Sequence, residues 1–392
     1  MNKERLWTKD FVTVSVINFL IILVYYLLMV TIASYATYEF HASMSIAGLV
    51  AGIFIIGALI GRLATGHIIE NIGNKKILIV GVIFFIIASA LYFGAINLQL
   101  LLINRLLHGI ALGVTGTATG TIVAKIIPHN RRGEGIGYYS MSAILAAAIG
   151  PFLGILLSQH ANFKTIFIFN LILGITAFVV SLFVNEPINK SSEQDQIKTV
   201  KSFKISNFLE LEAIPISIVT LIISFSFSGV LTFMSFYAEQ IHLVEAASFF
   251  FLIYAIAIFV SRPFSGRLFD VKGANIVAYP CLFIYAIGML LYSQAHQGIT
   301  LLLAGAIMGL GYGNFLSCAQ AISIKAIPHH RLGLATSTYF IFWELGFGVG
   351  PYLLGFLVPF TGYRGLYLMM VVMIIASIVL YYFLHGRKVS FA

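Results

Sequence analysis

The sequence has 392 residues, of which 60% are hydrophobic and 9% are charged, and its mean hydropathy is +0.98. A water-soluble domain carries about 25% charged residues, so these values exclude a protein whose surface mostly faces water. The formal net charge of +9 is spread between apolar stretches rather than gathered in a basic domain, which argues against a nucleic-acid partner. The composition indicates a protein embedded in a lipid bilayer.

Apolar runs of membrane-spanning length follow one another from residue 11 onward, and the first is too long to be the core of a signal peptide. The fold predicted is an all-α membrane protein with twelve transmembrane helices in two parallel halves of six, residues 1–184 and 213–392. The polar stretch 185–212 is predicted to be a cytoplasmic linker. The predicted spans are 11–36, 44–65, 77–96, 99–124, 135–158, 165–184, 213–238, 246–263, 275–294, 299–324, 334–358 and 366–385.

The positive charges are distributed unequally between the two sides of the membrane. Of the 23 Lys and Arg residues, Lys164 and Arg364 are assigned to one side and Arg105 lies within a span, while the others share the side of the linker and both termini. Because cytoplasmic loops are enriched in Lys and Arg, we expect both termini to be cytoplasmic. The expected location is the plasma or inner membrane.

The chain repeats itself at an offset of 200 residues. This offset superimposes residues 125–129 on residues 325–329, and Gly150-Pro151 on Gly350-Pro351. Six spans separate the copies, so both halves have the same orientation, and a substrate path between parallel halves is one known solution for transport. The two Gly-Pro pairs are predicted to bend their spans, because proline removes a backbone donor and crowds the preceding turn.

The loop after the second span carries a recognisable motif. Residues 66–76 read Gly-His-Ile-Ile-Glu-Asn-Ile-Gly-Asn-Lys-Lys, which resembles the loop motif Gly-x-Leu-x-Asp-Arg-x-Gly-Arg-Lys of the major facilitator superfamily. A degenerate copy occupies residues 266–273. We interpret the acids as a gating latch that caps a helix and pairs with a basic group in one conformation; solvated loop acids are the alternative. The residues assigned to this gate are Gly66, Glu70, Gly73, Lys75, Asp270 and Gly273.

Two further motifs extend the resemblance over essentially the whole chain. Residues 105–109, Arg-Leu-Leu-His-Gly, are similar to the Arg-x-x-Gln-Gly motif of the fourth span. Residues 146–155 are similar to the Gly-x-x-x-Gly-Pro-x-x-Gly-Gly motif of the drug–proton antiporters, although Ala146 and Ile155 replace its first and last glycines. The resemblance to the twelve-helix antiporters implies a monomer that moves a solute by alternating access.

One carboxyl group is predicted to lie inside the membrane. Among the 14 Asp and Glu residues, Glu344 is the one placed near the middle of a span. A carboxyl group there is energetically unfavourable unless it is paired, protonated or in contact with water. We therefore assign Glu344 a function as a hypothesis. We predict that Glu344 binds the coupled proton, a cationic substrate, or both in competition. A protonated acid that only bonds a neighbouring helix is the alternative.

Arg105 and His108 complete the predicted proton-coupling set. The resemblance implies that Arg105 influences the coupling step, whereas the alternative is an arginine that satisfies carbonyl groups at a helix contact. His108 lies one turn further on the same face. It relays a proton or replaces the family's glutamine as a hydrogen-bonding group, and we favour the second interpretation.

Spans 1 and 7 usually line the central cavity in this family. The residues assigned to a substrate cavity are Asn18, Tyr25, Tyr26, Ser228, Phe233 and Trp343. Aromatic walls with a few hydroxyl groups suit a moderately lipophilic solute, particularly a cationic or zwitterionic one. Packing against lipid or other helices is the alternative for each of these residues.

The sequence lacks the motifs of a membrane enzyme. Its loops contain no phosphate-binding loop, metal-ligand spacing, hydrolase signature or nucleotide fingerprint, so we expect neither enzymatic activity nor a cofactor or metal. The function predicted is proton-coupled efflux of a small organic solute. The alternatives are a sugar or organic-acid uniporter or importer, a metallophore exporter, and a lipid or glycolipid flippase.

Overall fold

A computed structural model describes residues 6–128, 131–185, 209–325, 327–328 and 331–387 of the chain. Within these ranges every regular element is a helix. Most of the predicted linker, residues 186–208, lies outside the described residues. The all-helical fold predicted from the sequence is therefore confirmed for the described part of the chain.

Eleven helices in the described ranges are long and apolar enough to cross a membrane. The first six are α1 (Lys9–Phe40), α2 (Met44–Ile72), α3 (Asn74–Leu91), α4 (Leu98–Ile126), α5 (Arg132–His160) and α6 (Phe163–Leu182). The others are α7 (Ile214–Gln240), α8 (Val244–Lys272), α9 (Ala274–Ser293), α10 (Gly298–Lys325) and α11 (Leu332–Tyr381). A π turn, Gly309–Gly313, interrupts the α-helical winding of α10.

The last helix differs from the prediction, which placed two separate spans and a loop in this region. The helix α11 runs through 50 residues, with one non-helical residue inside it, Gly362, at φ 63° and ψ 175°. A straight helix of this length would measure about 75 Å, more than twice the roughly 30 Å of bilayer hydrocarbon. The break at Gly362 therefore divides α11 into two segments, 332–361 and 363–381, each of spanning length.

Single glycines join two pairs of helices. Gly73 links α2 to α3 with φ 95°, and Gly273 links α8 to α9 with φ 86°. An L residue rarely adopts these positive values, whereas glycine does so without steric cost. Elsewhere asparagine side chains start helices, since Asn97 accepts a bond from Leu100 N and Asn162 accepts one from Thr165 N.

The chain forms two compact units. The first unit lies within Met1–Tyr26, Ile53–Gly150 and Ala161–Phe203, and the second within Leu27–Gly52, Pro151–His160 and Lys204–Ala392. Helices α1, α2 and α5 therefore each contribute one end to the second unit. The boundaries of the two units therefore do not coincide with those of the two sequence halves, residues 1–184 and 213–392.

Within the first unit, α4 packs closely on α2. A Cβ atom added to Gly109 would collide with Phe54 O, and one added to Gly113 would collide with Ala58 O. Small residues at this spacing allow two helix backbones to approach each other in a membrane protein. This approach brings the α2 side chains to the face of α4 that carries Arg105.

Within the second unit, the first turns of α2 pack on the first segment of α11. A Cβ atom on Gly48 would collide with Pro351 O, one on Gly52 with Gly348 O, and one on Gly355 with Met44 O. We call these four glycines, Gly48, Gly52, Gly348 and Gly355, the glycine contact. It leaves no room for a side chain between the two backbones.

Polar bonds tie the end of α1 to α7 in the same unit. Ser235 Oγ donates to Val30 O at 3.1 Å, and Tyr38 Oη donates to Glu239 Oε2 at 2.7 Å. Ser235 is 6% exposed. Together with the glycine contact, these bonds close the second unit at the end where the loops α1–α2 and α7–α8 lie.

Candidate functional site

A hydrogen-bonded chain of buried side chains surrounds Arg105 in the first unit. Arg105 and His108 in α4 are fully buried, as is Tyr92 at the end of α3. Arg105 Nη1 donates to Tyr92 Oη at 3.2 Å, and Tyr92 Oη lies 3.1 Å from His108 Nδ1. His108 Nε2 lies 3.4 Å from Ser89 Oγ. The structure thus brings the two residues predicted from the fourth-span motif into one network.

The partners determine the direction of these bonds. Ser89 Oγ donates its proton to Phe85 O at 2.8 Å, so it can only accept from His108 Nε2–H. His108 Nδ1 is then the acceptor for the Tyr92 hydroxyl, whose oxygen accepts from Arg105. In a neutral His108 ring this arrangement puts the proton on Nε2, and every bond in the chain then runs away from the guanidinium group.

Aromatic rings cover Arg105 on the α2 side. Its guanidinium carbon lies 4.4 Å from the centroid of the Phe54 ring, within the range of a cation–π interaction. The Tyr25 ring stacks on Phe54 at 5.3 Å with an interplanar angle of 20°, and its neighbour Tyr26 is 4.7 Å away. Tyr25 and Tyr26 are half-buried. One predicted cavity residue, Tyr25, therefore contacts the ring that covers the predicted coupling arginine, and a second, Tyr26, lies beside Tyr25.

We expect His108→Leu to lower the midpoint of thermal unfolding and His108→Gln to retain most of the stability. Leucine leaves the buried Tyr92 hydroxyl without its acceptor, which costs about 1–3 kcal/mol. Glutamine can accept from Tyr92 with its oxygen and donate to Ser89 with its nitrogen. Thermal unfolding of each purified variant in detergent, followed by circular dichroism, measures the two midpoints. Equal destabilisation by the two substitutions would contradict the directed chain.

Glu344 lies in the first segment of α11 and is 5% exposed. Residues 344, 348, 351 and 355 are spaced by three or four, so they share one face of the helix. Three of them, Gly348, Pro351 and Gly355, contact α2. Glu344 is one helical turn, about 5.4 Å, before Gly348 on that face. A carboxyl group thus borders the glycine contact, at its end nearer the start of α11.

The neighbouring face of α11 packs on α7. A Cβ atom on Gly346 would collide with Ser224 Oγ, and one on Gly350 with Ser228 Oγ. Ser228 Oγ donates to Phe225 O at 2.7 Å. Ser228 therefore contacts α11 rather than an open space, and Gly350 is needed for this packing. Both Gly-Pro pairs lie inside helices, Pro151 in α5 and Pro351 in α11.

The other predicted cavity residues are dispersed. Asn18 Nδ2 donates to Ser142 Oγ at 2.8 Å in the first unit. Phe233 is fully buried in the second unit, where its ring lies 6.2 Å from Tyr363. Trp343 is half-buried, and its Nε1–H donates to Tyr312 Oη at 3.3 Å.

The predicted gate residues are placed only in part. The side chain of Glu70 lies outside what the structure describes. Asp270 is exposed, and Lys75 is half-buried. Gly66 lies inside α2, and a Cβ atom added there would meet nothing described within 4 Å. Gly73 and Gly273 form the two joints at positive φ.

Sequence reasoning missed Tyr92 and Ser89 as partners of His108. Ser89 lies on α3 and Tyr92 in the short 3-10 turn directly after it, 19 and 16 residues before His108. Their role depends on how this part of the chain packs against α4. The signal that the sequence offered for Tyr92 was its position, as a polar residue near the end of an apolar span. That signal is shared by many interfacial tyrosines and does not identify a partner.

The comparisons with known proteins agree with one another. The profile of the family described as Major Facilitator Superfamily matches residues 14–313 and 216–390. An uncharacterized MFS-type transporter of Methanocaldococcus jannaschii is 25% identical over 324 residues, covering 82% of this chain and 84% of the relative. The multi-drug resistance efflux pump PmrA of Streptococcus pneumoniae is 24% identical over 311 residues, covering 78% and 77%.

Solved structures share the fold at lower identity. A crystal structure of the nucleoside transporter NupG superimposes with a TM-score of 0.80, covering 96% of this chain and 99% of that one, at 12% identity. At this low identity the comparison supports similarity of fold and gives no information about the transported solute.

Proposed function

Because this chain belongs to the Major Facilitator Superfamily, we propose that it is a proton-coupled exporter of a small organic solute. Members of this family are transporters and not enzymes, as the sequence analysis predicted. The observation that carries the proposal is the position of Glu344, buried and bordering the glycine contact on the same face of α11. The name of PmrA, an efflux pump, supports export as the direction.

Glu344 is assigned the role of proton carrier. A charged carboxylate beside a dry contact between two backbones is unfavourable, whereas the protonated form is tolerated. Protonation therefore favours closure of the glycine contact, and loss of the proton favours its opening. A proton taken up from one side and released to the other couples the solute to the proton gradient.

The remaining residues are assigned supporting roles. Arg105, held by Tyr92 and His108, provides a fixed positive charge in the first unit, while Tyr25 and Tyr26 border the solute path. Glu70 and Asp270 act as gate acids at the joints around Gly73 and Gly273. Because α11 has two segments of spanning length, we assign it two crossings, which gives twelve in all and leaves both termini in the cytoplasm. The transporter acts as a monomer in the plasma or inner membrane.

Proteoliposomes test the proposal directly. They contain the purified protein and a pH-sensitive probe, and ethidium is added outside while a pH gradient is imposed, with the interior acidic. We expect ethidium to accumulate while protons leave, and nigericin, which collapses the gradient, to stop both. Ethidium movement that ignores the gradient would indicate uniport and overturn the coupling. Movement of neither ion would overturn ethidium-type export and direct the search to sugars, metallophores and lipids.

A further inference from the structure

Two asparagine side chains are buried in the first unit without hydrogen-bond partners. Asn104 in α4 is 4% exposed, and Asn170 in α6 is 1% exposed. The amide nitrogen and the amide oxygen of both side chains lack a partner among the described residues. An unpaired amide is unfavourable in any protein interior, and more so where hydrocarbon rather than water surrounds the protein. Packing alone does not explain why these two positions carry amides.

Asn170 faces the end of α3. The Phe167 ring, one turn before it on α6, stacks on the Tyr92 ring with centroids 4.9 Å apart. One turn after it, a Cβ atom added to Gly174 would lie 3.3 Å from a side-chain atom of Ile86. Residues 167, 170 and 174 are spaced by three and four, so they share one face of α6. Asn170 therefore lies on the side that packs against α3, between the levels of Ile86 and Tyr92.

Asn104 approaches the same region from α4. It precedes His108 by one helical turn on the same face, and the His108 ring nitrogens lie within hydrogen-bonding distance of Ser89 and Tyr92. The next residue, Arg105, donates to Tyr92. The hydrogen-bonded chain around Arg105 therefore has one unpaired amide near it on α4 and another on α6, both at the same end of α3.

The second half of the repeat shows that the fold does not require these polar groups. At the offset of 200 residues Asn104 corresponds to Ala304 and Asn170 to Met370, and both of these residues are buried. The positions of Ser89, Arg105 and His108 are occupied by Met289, Gly305 and Met308. Equivalent buried positions are thus apolar in one half and polar in the other. The amides are better explained by a bound molecule than by the stability of the unit.

The chemistry of the two amides favours water as that molecule. Each amide offers two N–H donors and one carbonyl acceptor, so a ligand that satisfies it must both donate and accept. A metal ion or an inorganic anion does only one of these. The helices α3, α4 and α6 contain no Asp or Glu, so a cation would find no carboxylate ligand on them. A buried water molecule typically bonds two to four polar groups that otherwise lack partners.

We propose that the end of α3 and the facing sides of α4 and α6 enclose an internal water site. Its water molecules bind the amides of Asn104 and Asn170 and extend the hydrogen-bonded chain around Arg105 to α6. Water dipoles that can reorient near a fixed charge lower the free-energy cost of holding a guanidinium group inside a bilayer. The inference goes beyond the proposed function and depends neither on the solute nor on proton coupling.

Solid-state NMR tests the site in the intact protein, labelled on its asparagine nitrogens and reconstituted in lipid bilayers. Magnetisation transferred from water should reach the side chains of Asn104 and Asn170 at least about threefold faster than that of Asn314. Asn314 is the matched control, because it is also 4% exposed but its amide is bonded to Ser261 and Ser265. Loss of single signals in Asn104→Leu and Asn170→Leu assigns them. Transfer as slow as that to Asn314 would show dry amides and overturn the proposal.

Thermal unfolding of the two leucine variants and of the double variant gives a second test. If the amides share bound water, loss of one leaves the other poorly paired, so each single substitution lowers the unfolding midpoint by a few degrees. The double substitution removes both partners and should cost less than the sum of the single ones. Dry amides predict the opposite sign, because each leucine would then remove an unpaired polar group. Additive changes, in either direction, would overturn the shared site.

Discussion

Glu344→Gln is expected to abolish accumulation of solute against its gradient while sparing exchange across the membrane. Glutamine resembles the protonated acid in shape and charge but cannot release a proton. The solute then equilibrates, and the ratio of inside to outside concentration falls to about 1 under an imposed pH gradient. Counterflow, in which labelled solute enters against unlabelled solute, should persist because it needs no change of protonation. Proteoliposomes with a trapped pH probe measure accumulation, counterflow and proton movement together.

The matched control is Glu245→Gln. Glu245 lies in the first turn of α8 and is exposed, so the same chemical change there removes a charge without affecting the glycine contact. Its accumulation ratio and proton flux should equal those of the unaltered protein. Concentrative, proton-linked transport by Glu344→Gln would remove this residue from the coupling step.

Gly52→Ala is expected to open the end of the second unit that the glycine contact closes. The added Cβ would collide with Gly348 O, which is a backbone atom and cannot rotate away. Overpacking of this kind costs about 1–3 kcal/mol, which corresponds to a shift of about 5- to 150-fold between closed and open forms. Transport should slow accordingly, because the closed form is one of the two states required.

Cysteine labelling measures this opening. Ser235 is buried where α7 meets α1, and Ser235→Cys can be introduced after Cys281 and Cys318 are replaced by serine. A membrane-impermeant maleimide should label this site at least about tenfold faster in the Gly52→Ala background. Gly116→Ala is the control, since a Cβ there meets nothing described within 4 Å. Equal labelling rates in the two backgrounds would show that the glycine contact does not control access.

Much of the fold was predictable because the bilayer limits the options. In a bilayer the backbone groups of a helix must form hydrogen bonds within the helix, and a span needs about 20 apolar residues. Hydropathy and loop charges therefore gave helix boundaries close to those observed. The fourth predicted span, residues 99–124, corresponds to α4 at Leu98–Ile126. The motifs and the repeat led to the family, which the family profile confirms.

The contacts between helices were less predictable. Arg105 and His108 were selected by a motif, but the partner between them, Tyr92, comes from the turn that follows α3. The prediction placed a loop between the last two spans, whereas the structure separates them by one non-helical residue, Gly362. The chain resumes helical winding directly after this residue. The amides of Asn104 and Asn170 come from different helices, and no spacing within one helix indicates that both lie at the end of α3.

The π turn of α10 has a consequence for any attempt to transfer residues between the two halves. At the 200-residue offset its equivalent, residues 109–113, is ordinary α-helix within α4. A π turn winds with about 4.4 residues per turn instead of 3.6, so five residues of it lag by about a quarter of a revolution. Beyond Gly313, residues that match in sequence therefore point in different directions about their helix axes. A chimaera that copies α4 side chains onto α10 by alignment would rotate them away from the positions that they occupy in the first half.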